Sequence, residues 1–232
     1  MIKVLTYHSI GNSNKSEIGN NLYCTSEKDF REQIQYLRKN KDKVIALTFD
    51  DGCESSHKYV FPILKEAGFI AYFFVIASKV GSSGYMNWQQ VKELRDAGMI
   101  IGSHGMTHRI LTELSDEDLD YELKESKRIL ESNLKQSINY FSIPRGFYNK
   151  KFIEKAKDCG YKAVFTSSLR ETGSFKVGRI AVKSDWDLGH FIQVANKGYS
   201  LQDKAIEFIK DLLKKALGAE RYDQFRTWIL SR

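Results

Sequence analysis

The pattern that decides the fold first appears at residues 65–75, which read Lys-Glu-Ala-Gly-Phe-Ile-Ala-Tyr-Phe-Phe-Val. An amphipathic segment ends at Gly68, and a short apolar run follows it. Glycine is favoured just past a helix C-terminus because the backbone turns left-handed there. A short apolar run is typical of a strand that is buried on both faces. The stretch therefore predicts a helix, a glycine turn and a buried strand.

The same pattern recurs at residues 95–101, Arg-Asp-Ala-Gly-Met-Ile-Ile, and at residues 157–165, Lys-Asp-Cys-Gly-Tyr-Lys-Ala-Val-Phe. Three copies of helix, glycine and strand indicate an alternating α/β domain with parallel strands. About seven strands, each followed by a helix, favour a (β/α)7 barrel, with an open doubly wound sheet as the alternative. The further strands are predicted at Val4–Tyr7, Val44–Phe49, Tyr140–Ile143 and Val177–Val182.

The length and composition agree with one globular domain. The 232 residues are enough to bury a sizeable core, and 42% of them are hydrophobic and 28% charged, which is near the globular average. No linker-like boundary interrupts the chain. We therefore predict a single domain over residues 1–232, with residues 201–232 as a C-terminal helical extension.

The C-terminal extension has the spacing of an amphipathic helix. Ile206, Ile209, Leu213, Ala216 and Leu217 recur at helical spacing, with basic residues opposite. We interpret this segment as a terminal helix that packs on the domain through its apolar stripe. The alternative is peripheral attachment to an anionic membrane surface.

The charge and the cysteines bear on partners and location. Thirty-six Lys and Arg against 29 Asp and Glu give a formal net charge of +7, which indicates an anionic partner or surface. No Lys/Arg cluster interleaved with aromatic residues marks a nucleic-acid groove, so we expect no nucleic-acid partner. The three cysteines are widely spaced, and the sequence shows neither a signal peptide nor a membrane span. These features predict a cytoplasmic location, which includes the inner membrane surface.

The first candidate site motif is Thr-Phe-Asp-Asp-Gly at residues 48–52, where a buried strand ends. Folds of the α/β class place their sites at the C-terminal ends of strands. The adjacent carboxylates of Asp50 and Asp51 repel each other, which a divalent cation would relieve. One aspartate would then bind the metal while the other acts as a base. The alternative is a capping or Asx-turn pair that leads into the next helix.

The second motif is Gly-Ser-His-Gly-Met-Thr-His at residues 102–108, which also follows an apolar strand. His104 and His108 point the same way if the segment turns helically. Two imidazoles and one carboxylate form an open metal site with positions left for water and substrate. The alternative is a polar loop with incidental histidines. The two motifs together supply a complete ligand set, which favours the metal site.

The third motif, Pro-Arg-Gly at residues 144–146, again follows a strand. Such a turn can present backbone N–H groups to an oxyanion. The alternative is a plain turn before the next helix. The Arg145 side chain is either a surface charge or a group that orients a catalytic carboxylate.

The order and spacing of these motifs resemble those of the polysaccharide deacetylases, carbohydrate esterase family 4, over about residues 1–185. The resemblance also includes the opening Tyr7-His8 and Met-Asn-Trp at 86–88. It implies a distorted seven-stranded α/β barrel with a divalent metal, usually zinc, with cobalt, nickel or manganese as alternatives. By this resemblance the base is Asp50, the metal ligands are Asp51, His104 and His108, and the oxyanion donor is the backbone N–H of Arg145.

Two positions depart from the family pattern. Gly105 stands where the family often has Ser or Thr, and Ser142 stands where the family has the arginine that holds the base. We consider the hypothesis that Arg145 takes over that role. One candidate for the general acid is His190, which matches the family's late Leu-x-His motif in sequence but falls in a predicted helix. His8, at the end of the first strand, is the other candidate.

These observations predict a metal-dependent hydrolase that removes N-acetyl groups from an amino-sugar glycan or a polysaccharide precursor. The positive charge fits a carbohydrate that is anionic or lipid-linked. One alternative keeps the site but uses it as a deformylase or a cyclic-amide hydrolase on a small or lipid-linked substrate. The other is a non-catalytic carbohydrate-binding protein on this fold.

Overall fold

The computed structural model describes residues 3–11, 21–40, 45–168, 171, 173–219, 221–222 and 224–225. The strands within them are β1 (Lys3–Tyr7), β2 (Ser9–Ile10), β3 (Cys24–Thr25), β4 (Ile45–Phe49), β5 (Tyr72–Val75), β6 (Ile100–Ser103), β7 (Tyr140–Ser142), β8 (Ala163–Thr166), β9 (Lys176–Gly178) and β10 (Ile180–Ala181). The helices are α1 (Glu27–Lys39), α2 (Phe61–Ala67), α3 (Trp88–Asp96), α4 (Asp116–Asp120), α5 (Ser126–Leu134), α6 (Lys150–Asp158), α7 (Leu188–Lys197) and α8 (Leu201–Leu217).

Eight strands form one parallel sheet that is nearly closed into a barrel. Their order is β10-β1-β4-β5-β6-β7-β8-β9, while β2 and β3 pair separately. The strands at the two ends of this order, β9 and β10, are consecutive in the chain, with only Arg179 between them. Because β9 pairs with β8 and β10 pairs with β1, this one stretch of chain connects the two edges. This connection confirms the predicted barrel and rules out the alternative of an open sheet.

The last predicted strand, Val177–Val182, is broken in the structure. Backbone pairing changes sides at Arg179, which is buried and separates β9 from β10. The predicted strand Val44–Phe49 is observed as β4, and Val44 lies outside the described residues.

The glycine turns form as the sequence predicts. Gly68, Gly98 and Gly160 have φ angles of 73°, 84° and 77°, in the left-handed region that follows a helix. Each turn returns the chain to a buried strand. This repeated unit brings the C-terminal ends of the strands to one end of the barrel.

The strands bury side chains on both faces. Leu5 and Tyr7 of β1 belong to the main core between barrel and helices. A second cluster lies inside the barrel beneath the Arg179 guanidinium, whose carbon is 5.6 Å from the ring centroid of Phe74. That cluster consists of Val4, Phe74, Ala163 and Phe165. The barrel interior is therefore apolar below Arg179, and polar groups gather above it.

The C-terminal helix α8 is present, but its apolar stripe does not pack on the domain as predicted. Leu213 lies against a small cluster that contains Phe147 and Tyr222. Ile206 and Ile209 are 47% and 55% exposed. No helix that the structure describes is long and apolar enough to cross a bilayer. The last part of the predicted extension, residues 226–232, lies outside the described residues.

Candidate active site

Asp50 and Asp51 follow the C-terminal end of β4, and both are almost fully buried. Asp51 has a left-handed backbone with a φ of 73°, a conformation that costs a non-glycine residue on the order of 1 kcal/mol. The two adjacent carboxylates meet different partners. Asp50 contacts a guanidinium, whereas Asp51 faces two imidazoles.

Arg179 binds Asp50 through a bidentate ion pair. Its Nη1 and Nη2 donate to Oδ1 and Oδ2 of Asp50 at 2.7 and 2.8 Å. Ser142 Oγ donates to Asp50 Oδ2 at 3.0 Å and accepts from Arg179 Nη2 at 2.8 Å. Burial alone would raise the pKa of Asp50, but the charge and hydrogen bonds of Arg179 outweigh it and lower that pKa. Asp50 is therefore an ionised, rigidly oriented carboxylate.

The hypothesis that Arg145 holds the base is not supported by the structure, because the guanidinium that contacts Asp50 is that of Arg179. Arg145 lies on the Pro144–Gly146 turn and is half-buried at the cleft. Ser142, at the family's arginine position, still contacts Asp50 through its hydroxyl. One signal could have identified Arg179. It is the only charged residue inside the predicted strand Val177–Val182, and a buried charge needs a buried partner.

Asp51, His104 and His108 bring three potential metal ligands together. Their donor atoms all lie within 4.8 Å of one another. Nε2 of His104 and of His108 lie 3.4 and 3.5 Å from Oδ1 of Asp51. This convergence does not come from a helical turn as predicted, because Gly105 and His108 have left-handed φ angles of 81° and 66°.

The chemistry of these three side chains fits a divalent cation. Both carboxylate oxygens of Asp51 are buried and accept no hydrogen bond from any described residue. Nδ1 of His104 donates to the backbone oxygen of Ser142 at 2.8 Å, so in the neutral imidazole the lone pair is on Nε2, which faces Asp51. Orphaned carboxylate oxygens beside an imidazole of fixed tautomer are what a metal site provides before its ion binds.

Glu122 anchors the loop between the two histidines. This fully buried carboxylate accepts from the backbone N–H groups of Met106 and Thr107 at 2.7 and 3.0 Å, and from the Thr107 hydroxyl. A Cβ at Gly105 would lie 2.8 Å from Oε2 of Glu122. The carboxylate therefore accounts for glycine at this position. No sequence motif marks Glu122, which lies in a π-helical segment, Tyr121–Glu125.

The two candidate acids occupy different places. His8 lines the cleft together with Asp50, and its buried Nδ1 has no hydrogen-bond partner among the described residues. Burial lowers the pKa of His8, and the carboxylates of Asp51 and Asp50 oppose that effect. His190 packs on Trp186, with ring centroids 4.7 Å apart, and is not among the residues that line the cleft.

A cleft of about 270 Å³ opens over these groups. Its floor holds Asp50, His104 and His108, and one side is formed by Arg145 and Gly146, whose φ angles of 58° and 74° are both left-handed. Another part of the wall comes from the C-terminal segment, which no sequence motif predicts at the site. The residues of that wall are Glu207, Lys210, Leu213, Lys214, Tyr222 and Phe225.

A buried, ionised carboxylate beside an Asp-His-His cluster, at the mouth of an α/β barrel, is typical of a metal-dependent hydrolase. The family model for polysaccharide deacetylases matches residues 37–164. The chain therefore belongs to the polysaccharide deacetylase family.

Individual relatives agree with this assignment. The peptidoglycan-N-acetylglucosamine deacetylase of Bacillus cereus is 33% identical over 129 residues, which cover 55% of this chain and 58% of that protein. The peptidoglycan-N-acetylmuramic acid deacetylase PdaA of Bacillus subtilis is 32% identical over 134 residues, 57% of this chain and 49% of that protein. The chain thus spans about half the length of these curated relatives.

Among solved structures, the Streptococcus pyogenes deacetylase PplD in complex with acetate superposes with a TM-score of 0.75. It is 26% identical in sequence, and the match covers 83% of this chain and 96% of that one. The barrel described above is therefore the deacetylase barrel along most of the chain.

Proposed function

We propose that this protein hydrolyses the N-acetyl amide of an amino sugar within a glycan or a polysaccharide precursor. The observation that carries the proposal is the pairing of an ionised Asp50 with the adjacent Asp51, His104 and His108 cluster. The names of the two Bacillus relatives, which refer to N-acetylglucosamine and N-acetylmuramic acid in peptidoglycan, support an N-acetylated sugar as substrate.

Asp51, His104 and His108 would hold the cation. Two imidazoles and one carboxylate suit zinc, and cobalt, nickel or manganese could occupy the same ligand set. When bound, the cation supplies a Lewis acid that lowers the pKa of water toward about 7 and polarises a carbonyl. Every other part of the proposed mechanism belongs to side chains and backbone groups of the chain.

Asp50 would accept the proton of the attacking water as general base. Arg179 keeps this carboxylate ionised and fixes its orientation, which favours one direction of approach for the water. Ser142 adds a hydroxyl to the same carboxylate oxygen that Arg179 Nη2 contacts. Removing the charge of Asp50 without changing its shape should therefore stop turnover, and it should also lower the stability of the fold because the buried Arg179 loses its counter-charge.

The turn at Pro144–Gly146 would stabilise the oxyanion of the tetrahedral intermediate. A backbone N–H donor in this position is worth about 3 kcal/mol of transition-state stabilisation. His8 would protonate the departing amine, because it lies in the cleft with Asp50 whereas His190 does not. The presence of a candidate base, metal ligands, oxyanion turn and acid in one cleft argues against a non-catalytic carbohydrate-binding protein.

The test is acetate release from N-acetylglucosamine oligomers by the purified protein. We expect release that stops with a chelator, resumes when zinc is restored, and is lost in Asp50→Asn. The matched control is Asp185→Asn, which removes an exposed carboxylate that does not line the cleft. Undiminished acetate release by Asp50→Asn would remove Asp50 from the role of base. Release of formate but not acetate from matched N-acyl sugars would replace the deacetylase by the deformylase alternative.

A further inference from the structure

One side of the cleft is a continuous wall formed by α8 and the chain on either side of it. Glu207, Lys210 and Leu213 lie at three-residue spacing along one face of α8, and all three line the cleft. Because a helix rises about 1.5 Å per residue, these three residues span roughly 9 Å. Tyr199 lines the cleft before the helix begins, and Tyr222 lines it after the helix ends. We call these five residues the α8 wall.

The α8 wall is attached to the mouth of the barrel at both ends. At its start, the Tyr199 hydroxyl lies 3.5 Å from the backbone oxygen of Ala181 in β10, and the Tyr199 ring meets that of Trp186 edge to face with centroids 6.1 Å apart. At its end, the rings of Phe147 and Tyr222 meet edge to face with centroids 5.9 Å apart. Phe147 directly follows the turn after β7. The wall therefore runs from β10 to the turn after β7.

The side chains of the wall that face the cleft are held in place. Lys210 Nζ donates to Oε1 of Glu207 at 2.7 Å. Leu213 packs against the small cluster that contains Phe147 and Tyr222. A glycan that continued through the wall would have to displace both the ion pair and the apolar packing. The wall is therefore a barrier and not a set of loose surface side chains.

The sheet order shows which part of the barrel mouth the wall closes. In that order β8 and β9 follow β7, and the chain between β9 and β10 closes the barrel. A wall from β10 to the turn after β7 therefore stands over the ends of β8 and β9. β5 lies four strands from β9 in both directions, which is the opposite side of the barrel. Among the described residues, none in the connection after β5 lines the cleft.

The space beside Asp50 is sized for about one sugar unit. The cleft holds about 270 Å³, slightly less than the roughly 300–1,000 Å³ of pockets that take drug-sized ligands. An internal sugar of a glycan has a neighbour at each of two linkages, so it needs an exit on two sides of the site. The α8 wall occupies one of these sides. The described residues leave an exit on the opposite side, over β5.

We propose that the α8 wall makes this protein specific for an amino sugar at the end of a glycan chain. This inference rests on the proposed function and narrows its substrate class to chain ends and short saccharides. The terminal sugar places its N-acetyl group at Asp50 with the wall on one side, and the rest of the glycan leaves over β5. An internal sugar is excluded because one of its neighbours would overlap the wall.

The experiment determines which sugar of an N-acetylglucosamine pentamer loses its acetyl group. The pentamer is isotopically labelled at the reducing end, and tandem mass spectrometry after partial turnover assigns each loss to its sugar. We expect the unmodified protein to react at a terminal sugar at least about tenfold faster than at internal sugars. Its kcat/KM should change less than about twofold from trimer to hexamer, because the added sugars lie outside the cleft.

The variant Leu213→Ala/Tyr222→Ala removes the packing that attaches the wall to Phe147. Its preference for the terminal sugar should fall about tenfold, because internal sugars gain a second exit. The matched control is Phe208→Ala/Leu212→Ala on the same helix, where the two residues are 48% and 49% exposed and do not line the cleft. This control should keep the preference of the unmodified protein.

A second variant, Lys210→Ala, lowers the wall without touching its attachments and should shift the preference in the same direction, so the test does not depend on the folding of the double variant. Acetyl loss mainly from internal sugars by the unmodified protein would overturn the end specificity and leave the proposed function standing. An unchanged preference in both wall variants would overturn the role of the wall. No acetate release from any saccharide in the presence of zinc would overturn the proposed function and this inference with it.

Discussion

Replacing Arg179 with methionine should show how much the buried ion pair with Asp50 contributes to the free energy of unfolding. Arg179 donates to Asp50 at 2.7 and 2.8 Å, to Ser142 at 2.8 Å and to the hydroxyl of Thr6 at 3.1 Å. Arg179→Met leaves a buried carboxylate with a single hydroxyl donor, and such a loss costs about 3–5 kcal/mol of stability. Removing both charges, in Arg179→Met/Asp50→Asn, should cost less than the two single changes added together, by about 2 kcal/mol.

The assay is urea unfolding of the metal-free protein at neutral pH, with Arg145→Met as the control. Arg145 is half-buried at the cleft and is not the partner of Asp50, so its loss should lower the free energy of unfolding by less than the loss of Arg179 does. A double variant whose destabilisation equals the sum of the singles would refute the coupling. A larger effect for Arg145→Met than for Arg179→Met would restore the hypothesis made from the sequence.

The destabilisation caused by Arg179→Met should depend on pH in one direction. The pKa of Asp50 is lowered in the folded protein, because the charge of Arg179 outweighs burial. The stabilisation from the pair is therefore present above the unfolded pKa, about 3.9 for an aspartate, and is lost as the pH falls through the folded pKa. The difference in unfolding free energy between the unmodified protein and Arg179→Met should shrink in acid. A difference that grows in acid would contradict the assignment.

Three further predictions concern the loop anchor, the acid and the C-terminal helix. Glu122→Gln should weaken zinc affinity about 10- to 100-fold in a chelator competition, whereas Glu125→Gln on the same helical segment should not; equal affinities would remove Glu122 from this role. His8→Ala should lower acetate release at least about 100-fold and His190→Ala less than about twofold, with the reverse order assigning the acid to His190. If α8 contacts membranes, the protein should sediment with anionic vesicles, and the Phe208→Ser variant should sediment less. A protein that stays in the supernatant whether or not vesicles are present would count against this contact.

The elements of the barrel were predictable because their signals are local. Each helix–glycine–strand unit, such as the one around Gly68, carries its own turn residue and its own apolar run. The motifs at Asp50 and His104 follow strand ends, where parallel strands place their functional groups. Local sequence was therefore enough to bring the base and the ligand set to one end of the barrel.

The features that escaped prediction depend on distant partners. Arg179 meets Asp50 across 129 residues of sequence, and only the closure of the barrel between β9 and β10 brings them together. Glu122 reaches Met106 and Thr107 through a side chain that belongs to another element. The orientation of α8 contradicts its apolar spacing, so periodicity alone indicated the wrong face.

Asp50 and Asp51 are adjacent in the chain but have different roles in this site, which can be tested by zinc titration of three proteins. Asp51 lies with the two histidines, and Asp50 lies with Arg179. Calorimetry should therefore show one bound zinc for the unmodified protein and for Asp50→Asn, with weak or no binding by Asp51→Asn. Equal zinc binding by Asp50→Asn and Asp51→Asn, or a loss confined to Asp50→Asn, would contradict the account.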